Sequence, residues 1–118
     1  MNSSQAVESL AAIAHEHRLS IYRMLVEAGP QGLSAGTIAA RRKLPPSSLT
    51  FHLQQLHRAG LIMQERRSRQ LIYSADFAVM NDLVGYLTDE CCAATGEVCA
   101  TDRNPVRPVR TTKRRKAA

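Results

Sequence analysis

The stretch from Leu44 to Gly60, LPPSSLTFHLQQLHRAG, carries the strongest structural signal in this chain. Its leucines at positions 49, 53 and 56 fall at i, i+4 and i+7, which places them on one face of an α-helix. A second helical stripe combines short polar groups with one aromatic ring and one cation: Ser47, Thr50, Phe51, Gln54 and Arg58. Such groups can contact base edges and phosphates in the major groove of DNA. An ordinary amphipathic surface helix would show the same periodicity, so the neighbouring segments are needed to choose.

The segments around this helix predict a helix-turn-helix. Ser34 suits the N-cap of a preceding helix over residues 35–42. Pro45 and Pro46 suit the first turn of the second helix, where a missing N–H does no harm, and Gly60 suits its end. Two short helices joined by a tight turn, the second with exposed polar groups, form the helix-turn-helix pattern.

A change of period after Gly60 predicts a β-hairpin. Two β-prone runs, Leu61–Met63 and Leu71–Tyr73, flank a charged segment over residues 64–70. A basic hairpin directly after a recognition helix is a wing, and its arginines can reach the DNA backbone or the minor groove. A solvated hairpin tip is the alternative. The candidate DNA-binding residues are Ser47, Ser48, Thr50, Phe51, Gln54, Arg58, Arg66, Arg67 and Arg69.

The net charge of +6 is distributed unevenly. Residues 41–69 contain seven cations and one acid, whereas residues 70–100 contain five acids and no lysine or arginine. Positive charge concentrated around one helix is what neutralisation of DNA phosphates requires. The 118 residues suit one small domain. No signal-like segment and no apolar run near the ~20 residues of a membrane span is present, so we expect a cytoplasmic protein with no membrane contact.

Three further helices are predicted, over residues 5–14, 17–28 and 76–90. The last helix carries an apolar stripe that nothing else in so small a domain obviously covers. We therefore assign it, together with the first helix, to a homodimer interface, although a monomeric core helix is the alternative. The interface residues are Leu10, Phe77, Met80, Leu83, Val84 and Leu87.

The expected fold is mostly α-helical with a small β-hairpin wing: a homodimeric winged helix-turn-helix. It occupies residues 1–90 and is followed by a cysteine-containing segment over residues 91–99. Residues 100–118 combine prolines and a basic run with almost no large apolar side chains, which is typical of a disordered tail.

The chain resembles the ArsR/SmtB family of metalloregulatory repressors. The matching residues are His17–Ile21, Pro46–Leu53, His57–Ile62 and the basic wing that ends at Tyr73. The resemblance implies a winged-helix homodimer that binds double-stranded operator DNA, represses transcription, and leaves the operator when it binds a metal or metalloid. It also implies DNA contacts at Ser47, Thr50 and Phe51.

The chain departs from the best-known members of that family at both usual inducer sites. Residues 39–44 contain no cysteine, although arsenic sensors carry a Cys-x-Cys motif in that helix. The last predicted helix contains acids but none of the histidines that zinc sensors use. An inducer would therefore have to bind elsewhere.

Cys91, Cys92 and Cys99 offer such a site at the end of the last helix. As(III) takes three sulfurs in a pyramid, and thiolates favour soft centres. The loop between Cys92 and Cys99, with Gly96 for a sharp bend, can return the third sulfur. The cluster resembles an arsenic-repressor variant with a Cys-Cys-and-Cys site at that position. Sb(III) fits the same geometry, and a methylated arsenical needs only two thiols.

Other readings of the cysteines stay open. Zinc prefers four ligands, so it is less well suited to three thiols. Clustered cysteines at an exposed helix end also suit a redox sensor. The leading hypothesis is an arsenite-responsive repressor with As(III) as inducer and no organic cofactor. The alternatives are a thiol-based redox regulator of the same fold and a constitutive DNA-binding protein without a ligand. We do not expect an enzyme, because the histidines at positions 15, 17, 52 and 57 have no cysteine or carboxylate nearby in a recognisable catalytic arrangement. His17, His52 and His57 are more simply helix-surface or cap residues.

Overall fold

The computed structural model describes residues 1–89 and residue 94. In chain order the elements are α1 (Ser3–Ile13), α2 (Glu16–Ala28), a 3-10 turn (Gly29–Gln31), β1 (Leu33–Ser34), α3 (Ala35–Arg42), α4 (Pro46–Arg58), β2 (Ile62–Arg67), β3 (Gln70–Ala75) and α5 (Phe77–Thr88). The predicted winged helix-turn-helix is confirmed: α3 and α4 form the helix-turn-helix, and β2 and β3 form the wing.

Helix α1 begins earlier than predicted, because Asn2 caps it. The Asn2 side chain accepts a hydrogen bond from the Gln5 backbone N–H at 2.8 Å, and the Gln5 side chain accepts from the Asn2 N–H at 2.9 Å. This capping box satisfies two N–H groups that a helix end otherwise leaves unpaired. The predicted start at residue 5 is therefore two residues late, since Ser3 and Ser4 are helical.

The turn between α3 and α4 is set by Lys43, which has the left-handed φ of 57°. That conformation ends α3 and lets the Leu44 N–H donate to the Ala39 carbonyl at 3.1 Å. Pro46 then opens α4 at a position that needs no N–H donor. The turn thus takes three residues, Lys43 to Pro45, and α4 begins directly after it.

The wing pairs β2 with β3 in antiparallel register, from Ile62 opposite Ala75 to Arg67 opposite Gln70. The strands extend through most of the charged segment that was predicted to be the tip, so only Ser68 and Arg69 form the turn. Strand β1 adds two residues on the other side of β3, which becomes the central strand. The sequence did not predict β1, since two residues carry no readable alternation.

One core joins the helices to the sheet in a compact unit over Met1–Leu83. Its fully buried large side chains include Ile21 and Leu25 from α2, Ile38 from α3, Leu56 from α4 and Leu61. Burial of one such side chain contributes roughly 1.5–3 kcal/mol. A second unit begins at Val84 within α5. The cysteine segment and the basic tail lie outside the described residues, apart from Ala94.

Candidate DNA-binding surface

The two stripes predicted for α4 are confirmed. Its buried face is formed by Leu49, Leu53 and Leu56, which pack into the core. The other stripe is exposed along its whole length: Ser47, Thr50, Phe51, Gln54 and Arg58. Phe51 leaves 53% of its surface exposed, although an aromatic ring gains most from burial. The ring is therefore available for contact with another surface.

The N-terminus of α4 favours an anion. The preceding residue, Pro45, makes no side-chain cap, and no acidic residue lies in the first turn. The free N–H groups of that turn and the helix dipole therefore present partial positive charge beside Ser47 and Ser48. At the other end, His57 and Arg58 lie in the last turn, where cations are stabilised. DNA phosphates would meet favourable charge at both ends of the helix.

The three wing arginines fall into two groups. The Arg67 guanidinium donates to Glu65 Oε1 at 3.0 Å through Nε, and to the Gln31 carbonyl oxygen at 3.0 Å through Nη1. It therefore ties β2 to the loop that follows α2. Arg66 and Arg69 are exposed and form no side-chain hydrogen bond or ion pair within residues 1–89. Those two cations are available for phosphates without breaking an existing contact.

Next to α4 lies a group that sequence reasoning missed: the histidine–arginine cluster, formed by His15, His17, Arg18, Arg42 and His52. The His15 and His52 ring centroids are 4.7 Å apart, and those of His17 and His52 are 5.7 Å apart. An Nη2 of Arg42 lies 2.8 Å from His17 Nδ1. His15 also caps α2, because its Nδ1 accepts from the His17 N–H at 3.2 Å.

His52 was predicted to lie on the helix surface, and that prediction is wrong: only 7% of its surface is exposed. Its pKa is lowered first by burial, and further by His15, Arg18 and His17, all of which disfavour the charged ring. The spacing contained the signal, since His52 stands three residues after Leu49 and four before Leu56. It therefore borders the buried stripe of α4.

The predicted dimer residues differ in exposure. Leu10 on α1 and Phe77 on α5 are exposed, as are Val84 and Leu87 in the second unit. Met80 is partly buried against the core. The last of them, Leu83, is only 3% exposed within the single chain. The chain itself therefore covers part of the stripe that was assigned to a partner.

Cys91, Cys92 and Cys99 lie outside the described residues, so the proposed metalloid site stays a prediction. Within residues 1–89 and residue 94, no three or more histidine, cysteine or acidic side chains are arranged to hold a metal ion. In that same part of the chain, no helix combines the length and the apolar character needed to cross a membrane.

Several known proteins resemble this chain in sequence and in fold. A family model described as a helix-turn-helix domain matches residues 13–65. The transcriptional activator HlyU of Vibrio cholerae is 32% identical over 93 residues, which cover 79% of this chain and 83% of HlyU. A solved structure described as reduced HlyU matches with a TM-score of 0.59 at 33% identity, covering 75% of this chain and 93% of that one.

Two further solved structures share the fold. An ArsR-like transcriptional regulator from Rhodococcus sp. RHA1 is 27% identical and matches with a TM-score of 0.60, covering 77% of this chain and 89% of that one. Mb0332 from Mycobacterium bovis is described as a homodimeric winged helix-turn-helix DNA-binding domain. It is 22% identical and matches with a TM-score of 0.58, covering 81% of this chain and 89% of that one. The chain belongs to the family of helix-turn-helix transcriptional regulators that includes HlyU, with an ArsR-like winged-helix fold.

Proposed function

We propose that this protein binds operator DNA as a homodimer, represses transcription from it, and is released when a thiol-reactive effector modifies the segment around Cys91, Cys92 and Cys99. The observation that carries the DNA-binding part is the exposed polar stripe of α4 beside the unpaired arginines of the wing. Helix α4 inserts into the major groove, with Thr50 and Gln54 at base edges. Arg66 and Arg69 contact phosphates or the minor groove.

The dimer is supported by exposed apolar side chains on α1 and α5 and by the homodimeric description of Mb0332. A symmetric dimer places its two recognition helices about one DNA turn, ~34 Å, apart and reads an inverted repeat. Selection of bound duplexes from a random pool by the wild-type protein would test both points. Two half-sites in inverted orientation are expected, whereas a single half-site bound by a monomer would contradict the dimer.

The effector proposed first is As(III), with Sb(III) as a second ligand of the same geometry. It rests on the thiol chemistry of the three cysteines and on the resemblance to an arsenic-repressor variant. Binding draws Cys92 and Cys99 together near the end of α5, which biases the dimer geometry against DNA. A coupling of ~1–3 kcal/mol, usual for allosteric pairs, would weaken operator binding ~5–150-fold.

The test is a titration of the protein–operator complex with arsenite under reducing conditions. Wild-type protein should be released, and Cys99→Ser should bind the operator normally but resist release, because two thiols hold As(III) less well than three. Cys99→Ser protein that is released at the wild-type arsenite concentration would overturn the three-thiol site. The same titration with antimonite compares the two metalloids.

The second candidate effector is oxidation of the same thiols. One of the similar solved structures is described as reduced HlyU, so the redox state of that relative was specified. That description favours oxidation as the second candidate. Two thiols would lose two electrons and two protons to an oxidant and form a disulfide. Release by the oxidant diamide, reversed by dithiothreitol, with no response to arsenite would favour this candidate over the first.

The direction of regulation is tested separately, because HlyU is described as an activator. A reporter gene placed behind the selected operator should be expressed less when the protein is present. Expression that rises with the protein would exclude repression while leaving the DNA-binding proposal intact.

A further inference from the structure

The histidine–arginine cluster brings five nitrogen-bearing side chains together at the meeting point of three helices. His15 caps α2, His17 and Arg18 lie in the first turns of α2, Arg42 ends α3, and His52 lies in the middle of α4. The ring centroids of the histidines are separated by 4.7–5.8 Å. None of the DNA contacts named in the proposed function uses these residues.

Several polar atoms of this cluster have no partner. Among the described residues, the Nε atoms of Arg18 and Arg42 and the Nδ1 atom of His52 are buried and form no hydrogen bond. A buried polar group without a partner costs roughly 1–3 kcal/mol, and more when it is charged. The two guanidinium Nε–H groups among them are certain donors, and they indicate a place where an external group supplies the acceptors.

The charge of the surroundings favours an anion over a cation. The Arg18 and Arg42 guanidinium groups are permanently charged, and the N-terminus of α2 adds partial positive charge. Glu16 is the acid of that first turn, but it is exposed. The ion pairs within residues 1–89 lie elsewhere, at Arg23–Glu27 and Arg67–Glu65. A metal ion would meet two uncompensated positive charges, whereas a phosphate offers several acceptor oxygens that match guanidinium geometry.

The cluster also lies beside the surface that faces DNA. The His52 ring centroid is 5.8 Å from that of Phe51, which belongs to the exposed stripe of α4. Arg42 ends α3 immediately before the turn into α4. Phosphates border the major groove on both sides, so a cationic group that flanks a recognition helix meets the DNA backbone. We infer that the histidine–arginine cluster binds a phosphate oxyanion, that of a DNA phosphodiester at the edge of the groove occupied by α4.

This inference rests on the proposed DNA-binding function and is tested through the salt dependence of binding. Each phosphate contact contributes about 0.9 to the slope of log affinity against log salt concentration. Arg42→Gln should therefore lower the slope by about 0.9. The loss should appear equally on a selected operator duplex and on a 30-base-pair duplex of unrelated sequence, because a phosphate contact carries no sequence information.

Arg23→Gln is the matched control, since Arg23 is an exposed arginine of α2 that pairs with Glu27 and lies outside the cluster. It removes the same charge and should keep the wild-type slope. Circular dichroism of both variants checks that they fold. A wild-type slope in folded Arg42→Gln protein would overturn the inference alone, whereas wild-type protein that binds neither duplex would overturn the proposed function itself.

A second measurement separates the two sources of phosphate and does not depend on a variant. Inorganic phosphate is titrated into the full-length protein without DNA, at constant ionic strength, while the histidine ring signals are followed by NMR. Duplex DNA is then added to the phosphate-bound protein. Movement of the His17 and His52 signals from their phosphate-bound positions to the positions of the DNA complex supports a DNA phosphodiester as the ligand. Saturable phosphate binding that stays unchanged when the duplex is added would assign the site to free phosphate and overturn its assignment to DNA.

Discussion

Helix α4 and the wing both face DNA in our proposal, but they are held in place by different means. Helix α4 is anchored by three leucines on its opposite face, so its position is a property of the core. The wing exposes nearly all of β2 and depends on contacts at its base and edge, among them the Arg67 bridge to Gln31 and the approach of Gly32 to β3. Helix α4 therefore loses its position only when the whole domain unfolds, whereas the wing can be loosened while the rest of the domain stays folded.

The largest effect is expected from Leu56→Ala, which removes a fully buried side chain of α4. Loss of transfer free energy and the remaining cavity should lower the free energy of unfolding by about 2–5 kcal/mol. Gln54→Ala, on the exposed face of the same helix, should change it by less than ~0.5 kcal/mol. Urea denaturation measures both. Similar losses in the two variants would contradict the assignment of buried and exposed faces.

Gly32→Ala should loosen the base of the wing. Gly32 has a φ of +69°, and a Cβ there would collide with the Tyr73 carbonyl oxygen and the Ile72 side chain. A positive φ combined with an extended ψ costs a non-glycine residue roughly 1–3 kcal/mol, and overpacking typically adds 1–3 kcal/mol. Gly29→Ala is the control, because its φ is +78° but nothing lies near its Cβ.

Thermal denaturation of the two glycine variants isolates the collision from the backbone strain. Gly32→Ala should be the less stable, with faster hydrogen exchange at the amides of β3. Equal destabilisation would mean that β1 and β3 move apart without cost, and that the wing does not depend on this close approach.

Thr50→Ala and Gln54→Ala should reduce discrimination between operator and mismatched sequences. A good base contact is worth about 1–3 kcal/mol of discrimination. Arg66→Ala should instead weaken binding to all sequences and lower the salt slope by about 0.9, as loss of one phosphate contact requires. Fluorescence anisotropy with operator and scrambled duplexes at several salt concentrations measures both. An altered base preference in Arg66→Ala with an unchanged slope would reverse these roles.

The smallest effect on DNA affinity is expected from Arg67→Ala. Its guanidinium already donates to Glu65 and to the Gln31 carbonyl, so fewer of its N–H donors are free for phosphates than in Arg66. An exposed pair of this kind contributes roughly 0.2–1 kcal/mol. Arg67→Ala should therefore change the salt slope less than Arg66→Ala but speed hydrogen exchange in the wing. A full loss of slope in Arg67→Ala would show that the bridge breaks when DNA binds.

The sequence by itself determined the helices and the faces of α4. The predicted range of α3, residues 35–42, matches the structure, because the residues on either side set its ends: Ser34 caps the start and Lys43 ends the helix. The stripe of leucines in α4 was readable because helical periodicity is local: residues three and four apart share a face whatever surrounds them. The order of helices, turn and hairpin followed from such local signals, and so did the exposed polar stripe of α4.

Only the tertiary structure decided what those elements meet. It brought His52 within 4.7 Å of His15 across 37 positions of the chain. It paired Leu33 with Tyr73, bridged Arg67 to Gln31, and buried Leu83 within the single chain. Each of these contacts joins residues that are far apart in sequence, so their geometry depends on how the whole core packs. Periodicity, caps and turns act over a few residues, and they leave long-range partners undetermined.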